Sequence, residues 1–328
     1  MIPELRIATR RSRLALWQAG HVKERLEALY GAPGALHGAP GALHGAPGAL
    51  HAGLCVSLVP LSTRGDELLE VSLAKEGGKG LFVKELESAL AEGRAEIAVH
   101  SMKDVPADLP PGFVLAAILA REDPRDAFLS TRYDSLAALP AGAVVGTSSL
   151  RRQAQIAARH PALQIRPLRG NVDTRVAKLD RGEYAGIVLA AAGLKRLGME
   201  ARISSYLEIE ESLPAAGQAA LGIECLAARD EVRSLIEPLQ HAGTSACVRA
   251  ERTVNRSLGG SCTIPLGAYA VEDGGRLKLR ALVASPDGKR FARAGGEGDA
   301  AQPEELGLRV AALLRERGAA EILAALAA

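Results

Sequence analysis

The segment Val145–Arg175, VGTSSLRRQAQIAARHPALQIRPLRGNVDTR, constrains the fold more than any other part of the chain. An apolar run, Ala143-Val144-Val145, gives way to the turn Gly146-Thr147-Ser148-Ser149 and then to a helix-like stretch ending near His160-Pro161. That order reads as strand, turn and helix N-terminus. It recurs at once, as Leu163-Gln164-Ile165 leads into Arg169-Gly170-Asn171 and a second helical stretch. A third strand at Gly186 to Ala190 and a short helix at Gly193 to Leu197 follow. Strands joined through helices run parallel in a sheet covered on both faces, so the segment predicts a doubly wound α/β unit.

The same alternation precedes it. Leu5-Arg6-Ile7 reads as a strand and Ser12 as a helix cap, followed by Leu14, Trp17, Val22, Leu26 and Leu29 at roughly helical spacing. Leu54 to Val59 is strand-like, Phe82, Leu86 and Leu90 mark a short helix stopped by Gly93, and Ile97-Ala98-Val99 is a buried strand. After about residue 240 the order changes to a helix (Ser245 to Ser257), a loop at Gly259-Gly260-Ser261-Cys262, a hairpin around Pro286-Asp287-Gly288 and a helix from Glu304. The expected fold is therefore two doubly wound α/β lobes and a separate small C-terminal α+β domain.

One stretch does not belong to that pattern. Residues 31 to 51 are three copies of GAPGALH. A seven-residue period suggests a coiled coil, but two glycines and a proline per repeat forbid one, leaving an expanded surface loop. His37, His44 and His51 recur as part of the duplicated unit, and a metal tract is the lesser reading.

The chemistry suggested by residues 145–175 is anion binding. Six arginines stand around two turns whose helix starts offer free N–H groups and capping hydroxyls, a combination suited to several planar carboxylates. A helical arginine is ordinarily solvated, but Arg151 and Arg152 fall in a first turn, where the helix dipole disfavours cations. They need a negative partner, and a bound anion is the expected one. The basic character is local: the net charge is only +2 and aromatics make up 3%, which disfavours a nucleic-acid or membrane partner and base-stacking platforms. No signal-peptide core or membrane-length apolar run is found, so a cytoplasmic protein is expected. Cys55, Cys225, Cys247 and Cys262 are dispersed without a CxxC pair, and neither a metal site nor a disulfide framework is expected.

Two strand ends attract attention. Val99 runs into His100-Ser101-Met102-Lys103-Asp104-Val105-Pro106, which sets an ammonium and a carboxylate side by side at the C-terminal end of a strand. Taken alone, this is equally a surface turn. Cys262 follows a helix containing Arg249, Arg252 and Arg256, and basic neighbours lower a thiol's pKa, although a lone cysteine is more often inert packing.

Together these segments resemble the hydroxymethylbilane synthase family, also called porphobilinogen deaminase. The match is carried by RIATRRSRLALWQ (6 to 18), TRGD (63 to 66), GGKGLFVKELE (77 to 87), IAVHSMKDVP (97 to 106), REDPRDA (121 to 127), VGTSSLRRQ, LRGNVDTR, LAAAGLKRLG, LPAAGQAALGIE (213 to 224) and GGSCTIPLG (259 to 267). It omits the repeat and weakens beyond residue 270. The resemblance implies a transferase of tetrapyrrole (haem) biosynthesis, a monomer that joins four porphobilinogen units head to tail, releases ammonia at each step and hydrolyses the product to hydroxymethylbilane.

It further implies a dipyrromethane cofactor in thioether linkage to Cys262. Asp104 would be the catalytic residue, lying over the pyrrole N–H groups and stabilising positive charge as a deaminated azafulvene unit is attacked by the growing chain. Lys103, Asp104, Ser149, Arg151, Arg152, Arg169 and Arg175 would contact the cofactor, and Arg10, Ser12, Arg169, Arg175, Lys79 and Phe82 the substrate. The implied domains are 1–119 with 220–237 (31–51 being the repeat loop), 125–213, and 242–328.

Three positions depart from the pattern the resemblance implies. Ala219 stands where a glycine is usual, and would be strained if the site needs positive φ. Arg13 replaces a proline, and Asp173 adds a negative charge beside the clamp, either tuning affinity or pairing with Arg175. A solute-binding protein of the periplasmic type shares the two-lobed architecture, but the Cys262 loop and the lack of a signal peptide argue against it. A ligand-controlled nucleic-acid-binding regulator is disfavoured by the low charge and the lack of a recognisable DNA-binding motif.

Overall fold

The computed structural model describes residues 4–30, 53–62, 83–259 and 264–327. The GAPGALH repeat, the TRGD motif, Lys79, Phe82 and Cys262 lie outside them.

Three sheets organise the chain. The first contains β1 (Glu4–Arg10), β2 (Cys55–Leu61), β3 (Ile97–Ser101), β4 (Phe113–Ile118) and β10 (Leu221–Leu226), in the order β2-β1-β3-β10-β4. The second contains β5 (Asp126–Leu129), β6 (Val144–Gly146), β7 (Gln164–Arg166), β8 (Gly186–Ala190) and β9 (Ser205–Leu207), in the order β7-β6-β8-β5-β9. The two orders are one topology used twice, giving two α/β lobes. In each, three neighbouring strands run parallel and the fourth is reversed: β10 is antiparallel to β3 and β4, and β5 to β8 and β9. The doubly wound expectation thus holds for the three parallel strands of each lobe, with a reversed strand added beside them. The third sheet is an antiparallel meander of β11 (Leu266–Asp273), β12 (Arg276–Ala284) and β13 (Phe291–Asp299), packed with the helices Ala242–Ser257, Pro303–Glu316 and Ala319–Ala327.

The helix starts are those their caps dictate. Ser12 Oγ accepts the amide of Ala15 (3.3 Å) at the start of the Arg13–Tyr30 helix, and Gly93, at φ +68°, follows the end of the Lys84–Ala91 helix. The buried face of the first helix runs through Ala15, Gln18, Ala19, Val22, Leu26 and Tyr30, against Leu5, Ile7, Ile97 and Ile223. Trp17 and Leu29, expected on that face, are 40% and 38% exposed. The tighter stripe through the two alanines lets helix and sheet approach closely and turns Trp17 outward, where it stacks on His21.

The chain crosses between the lobes twice, from β4 to β5 and from β9 back to β10. On the return, Ala219 adopts φ +71°, the only positive φ of a non-glycine among the described residues. The position does need the left-handed conformation, at a cost of about 1–2 kcal/mol for a residue with a Cβ. Its carbonyl accepts from Arg196 Nη2 (2.6 Å) and from the amide of Glu122 on the other crossing (3.3 Å). Glu251, fully buried in the Ala242–Ser257 helix, accepts from Arg121, from the amide of Gly217 and from that of Ala270, so one carboxylate ties both crossings to the third sheet.

Candidate active site

β3 ends at Ser101 and the backbone tightens into a single 3-10 turn, Met102–Asp104. Met102 anchors the turn: its side chain is buried among Val105, Ile118 and Ala220, and its amide donates to the Ala220 carbonyl (3.0 Å). Gly217 and Gly222 let the backbone pass close, since a Cβ on either would fall within 3 Å of Met102. From the other side Arg252 donates to the carbonyls of Val105, Pro106 and Ala107, and Arg256 to that of Ala107. Lys103 and Asp104 are thereby fixed at the sheet's C-terminal edge, with Asp104 exposed.

These contacts change the reading of the arginines before Cys262. Arg249 pairs with Glu304, Arg252 secures the loop after Asp104, and Arg256 pairs with Asp108. The observed work of these side chains is to hold helix and loop together, while Cys262 itself lies outside the described residues.

A cavity of about 70 Å³ at this edge is lined by Arg10, Ser12, Gln18, His100 and Asp104, among others. Arg10 and Ser12, far from Asp104 in sequence, thus share its surroundings. In the cavity wall, His100 Nε2 meets Glu224 Oε2 at 2.8 Å, both groups buried.

In the second lobe the two turns read from sequence are joined. Ser148 Oγ donates to the Leu168 carbonyl (2.8 Å) and accepts from its amide (3.1 Å), locking the turn after β6 to that after β7. Ser149 caps the Leu150–Arg159 helix, its oxygen accepting from the Arg152 amide, and Asn171 caps the Val172–Asp180 helix in the same way toward Thr174.

Arg151 and Arg152 do have a negative partner, and it belongs to the protein. Asp126, completely buried at the start of β5, accepts from Arg151 Nη1 (2.9 Å), Arg151 Nη2 (3.2 Å), Arg152 Nη2 (2.8 Å), Ser212 Oγ (2.7 Å) and Gln218 Nε2 (2.9 Å). Although burial alone would raise it, the two guanidiniums hold the Asp126 carboxyl far below the usual range. The expected partner was a bound anion; the structure supplies an internal one, Asp126, to both arginines. Asp126 stands in the REDPRDA segment, and its only sequence signal was a carboxylate opening an apolar run. The Nε–H groups of Arg151 and Arg152 remain buried without an acceptor in the structure.

The two lobes meet electrostatically over this ground. Burial pushes the Lys103 ammonium down to about 8; Arg152 and Arg151 also lower it, while Asp104 and Asp126 oppose. Lys103 nevertheless keeps part of its surface open. Burial lowers Arg175 to about 10, aided by Arg152 and Arg169 and opposed by Asp104. Lys103, Arg151, Arg152 and Arg175 thus share the field of Asp104 and Asp126, with Arg169 beside Arg175. Among the described residues this cluster carries more positive than negative charge, and an excess of partly buried cations favours polyanionic ligands. Its donor chemistry fits a dipyrromethane, whose side chains are carboxylates and whose ring N–H groups suit a single carboxylate such as Asp104.

Comparison with known proteins agrees with this geometry. Residues 5–234 match the family model described as porphobilinogen deaminase, dipyrromethane cofactor binding domain, and residues 245–316 that of the porphobilinogen deaminase C-terminal domain. The chain is 57% identical to the porphobilinogen deaminase of Ralstonia nicotianae over 99% of its own length and 92% of that protein's. It is 55% identical to that of Thiobacillus denitrificans, with 99% of each covered. Among solved structures, the methionine-binding protein MetQ is similar at a TM-score of 0.44 and 13% identity, over 72% of this chain and 89% of that one, too distant to bear on activity. The chain belongs to the porphobilinogen deaminase family.

Proposed function

We infer that this chain joins four porphobilinogen molecules head to tail, releasing one ammonia from each, and hydrolyses the linear product to hydroxymethylbilane. Family membership supports the reading, and the observation that carries it is the cationic cluster around Asp104: each pyrrole unit brings an acetate and a propionate, so a growing chain accumulates carboxylates that need cationic partners. A dipyrromethane bound through Cys262 supplies the pyrrole α-carbon on which the chain is built. Ser149, Arg151, Arg152, Arg169, Arg175 and Lys103 would bind its carboxylates, with Asp126 holding the Arg151 and Arg152 side chains in place. Arg10, Ser12, Lys79 and Phe82, with Arg169 and Arg175, would receive substrate. Asp104 would accept pyrrole N–H groups and stabilise the positive charge that develops as the substrate's C–N bond breaks, an electrostatic role that needs its carboxylate form.

The reading includes domains at 1–119 with 220–237, 125–213 and 242–328, supported by the strands that each sheet draws together. It also includes a cytoplasmic monomer that binds no nucleic acid, and the near-neutral charge supports the last of these. No helix among the described residues is long and apolar enough to cross a membrane.

The deciding experiment is the intact mass of denatured protein. The wild type should carry an excess equal to two pyrrole units, and Cys262→Ala should lack it. Absence of the adduct from wild type, even after incubation with porphobilinogen, would overturn the reading.

Lys103 gives a second expected result. Its ammonium is charged below about pH 8 and neutral above. Loading of the two-unit adduct by cofactor-free protein incubated with porphobilinogen, followed by intact mass, should therefore slow as the pH rises through 8, and Lys103→Arg should keep its rate beyond that point. A flat wild-type profile would remove Lys103 from the binding set.

A further inference from the structure

Arg13 and Asp173, the two charged positions singled out in the sequence, are the two ends of one ion pair. Arg13 Nη1 lies 3.0 Å from Asp173 Oδ1, and Arg13 Nη2 donates to the Leu197 carbonyl (3.2 Å). Asp173 therefore answers Arg13, while Arg175 directs its Nε to the Gly170 carbonyl.

The placement gives the pair a role. Arg13 opens the first helix of lobe one, directly after Arg10 and Ser12; Asp173 lies in the first turn of the Val172–Asp180 helix of lobe two, between the Asn171 cap and Arg175. An acid there is favoured by the helix dipole, whereas a cation at the first residue of a helix is not, so Arg13 depends on its partner. Around the pair the lobes touch lightly: Leu14 lies beside Gly193, and Arg196 lies 5.8 Å from the Trp17 ring centroid while donating to Ala219 on the crossing. The ion pair thus joins the helix that follows Arg10 and Ser12 in the first lobe to the helix that carries Arg175 in the second.

We propose that Arg13 and Asp173 are positioning residues, a cross-cleft strap that sets the spacing between the Arg10–Ser12 wall and the Arg169–Arg175 wall and so tunes affinity for each incoming porphobilinogen. The proposal rests on the functional reading above and deepens it. Neither residue touches the reacting atoms. The pair is largely open to water, with side chains 61% and 40% exposed, so its effect is modest and sensitive to salt.

The test compares wild type, Arg13→Gln, Asp173→Asn and the exchanged pair Arg13→Asp with Asp173→Arg, all as holoenzyme, at low salt and at about 0.5 M salt. At low salt each single variant should raise KM for porphobilinogen by about two- to five-fold with kcat little changed. High salt should bring wild type toward the variants, and the exchanged pair should have a KM below that of either single variant. Single variants with wild-type KM, or an exchanged pair no better than they are, would overturn the strap. Intact mass separates this from the parent reading: a two-unit adduct on every variant keeps that reading standing while the strap is judged on KM, whereas a wild type without adduct refutes both.

Discussion

Asp126→Asn should destabilise the protein by about 3–5 kcal/mol, the usual cost of removing one partner of a buried ion pair. The carboxylate accepts five hydrogen bonds, three of them from Arg151 and Arg152, and no water reaches it. Asparagine keeps the volume but removes the charge and turns two donor hydrogens toward guanidiniums that are themselves donors. The loss compares with a typical total stability of about 5–15 kcal/mol, so the second lobe should unfold at clearly lower urea than in the wild type. An unchanged midpoint would mean that Arg151 and Arg152 have found another counter-charge. The pH dependence has a definite sign. Because the folded-state pKa lies below the unfolded value of about 3.9, the stabilisation is fully present at neutral pH and declines as the solution is acidified below about pH 4.

Asp104→Asn should leave the fold intact and lower kcat by about 10²–10³-fold, the range for removing one preorganised electrostatic contact to charge that forms in the transition state. The side chain is exposed and makes no described contact on which the turn depends; Met102 and Arg252 hold that turn. The substitution has a second effect. The Asp104 carboxylate does more than any other neighbour to keep Lys103 protonated, so its neutralisation lets the ammonium pKa fall below about 8. Single-turnover rates should therefore be compared near pH 6, where Lys103 stays charged in both proteins. A rate restored there would assign the defect to Lys103, and a persistent loss would assign it to the missing carboxylate.

Features governed by neighbours a few residues away were legible in the sequence. Ser12 caps the helix it was expected to cap, the turns ending at Ser149 and Asn171 lead into helices as expected, and the parallel strands of both lobes lie where alternation placed them. The arginine cluster and the Lys103-Asp104 pair were visible because their residue types stand together. Three things were not. The reversed strands β5 and β10 have ordinary apolar compositions, and nothing local records strand direction. Asp126 lies 25 residues from Arg151 and 92 from Gln218, so its five-fold coordination exists only once the lobe has closed. Asp173 found its partner 160 residues away in the other lobe rather than two residues along its own helix.

The position of β10 has a consequence for biosynthesis. It lies between β3 and β4 in the first sheet, yet follows the entire second lobe in the chain. In a polypeptide emerging from the ribosome, every strand of the second sheet is present once residue 207 has cleared the exit tunnel, whereas the first sheet lacks its fourth strand until residue 226 follows. The lobe encoded in the middle can thus close first, and the N-terminal strands wait beside it with an unpaired edge. A nascent chain stalled between those two points would hold one finished lobe and one open one, which is the interval in which a chaperone has most to cover.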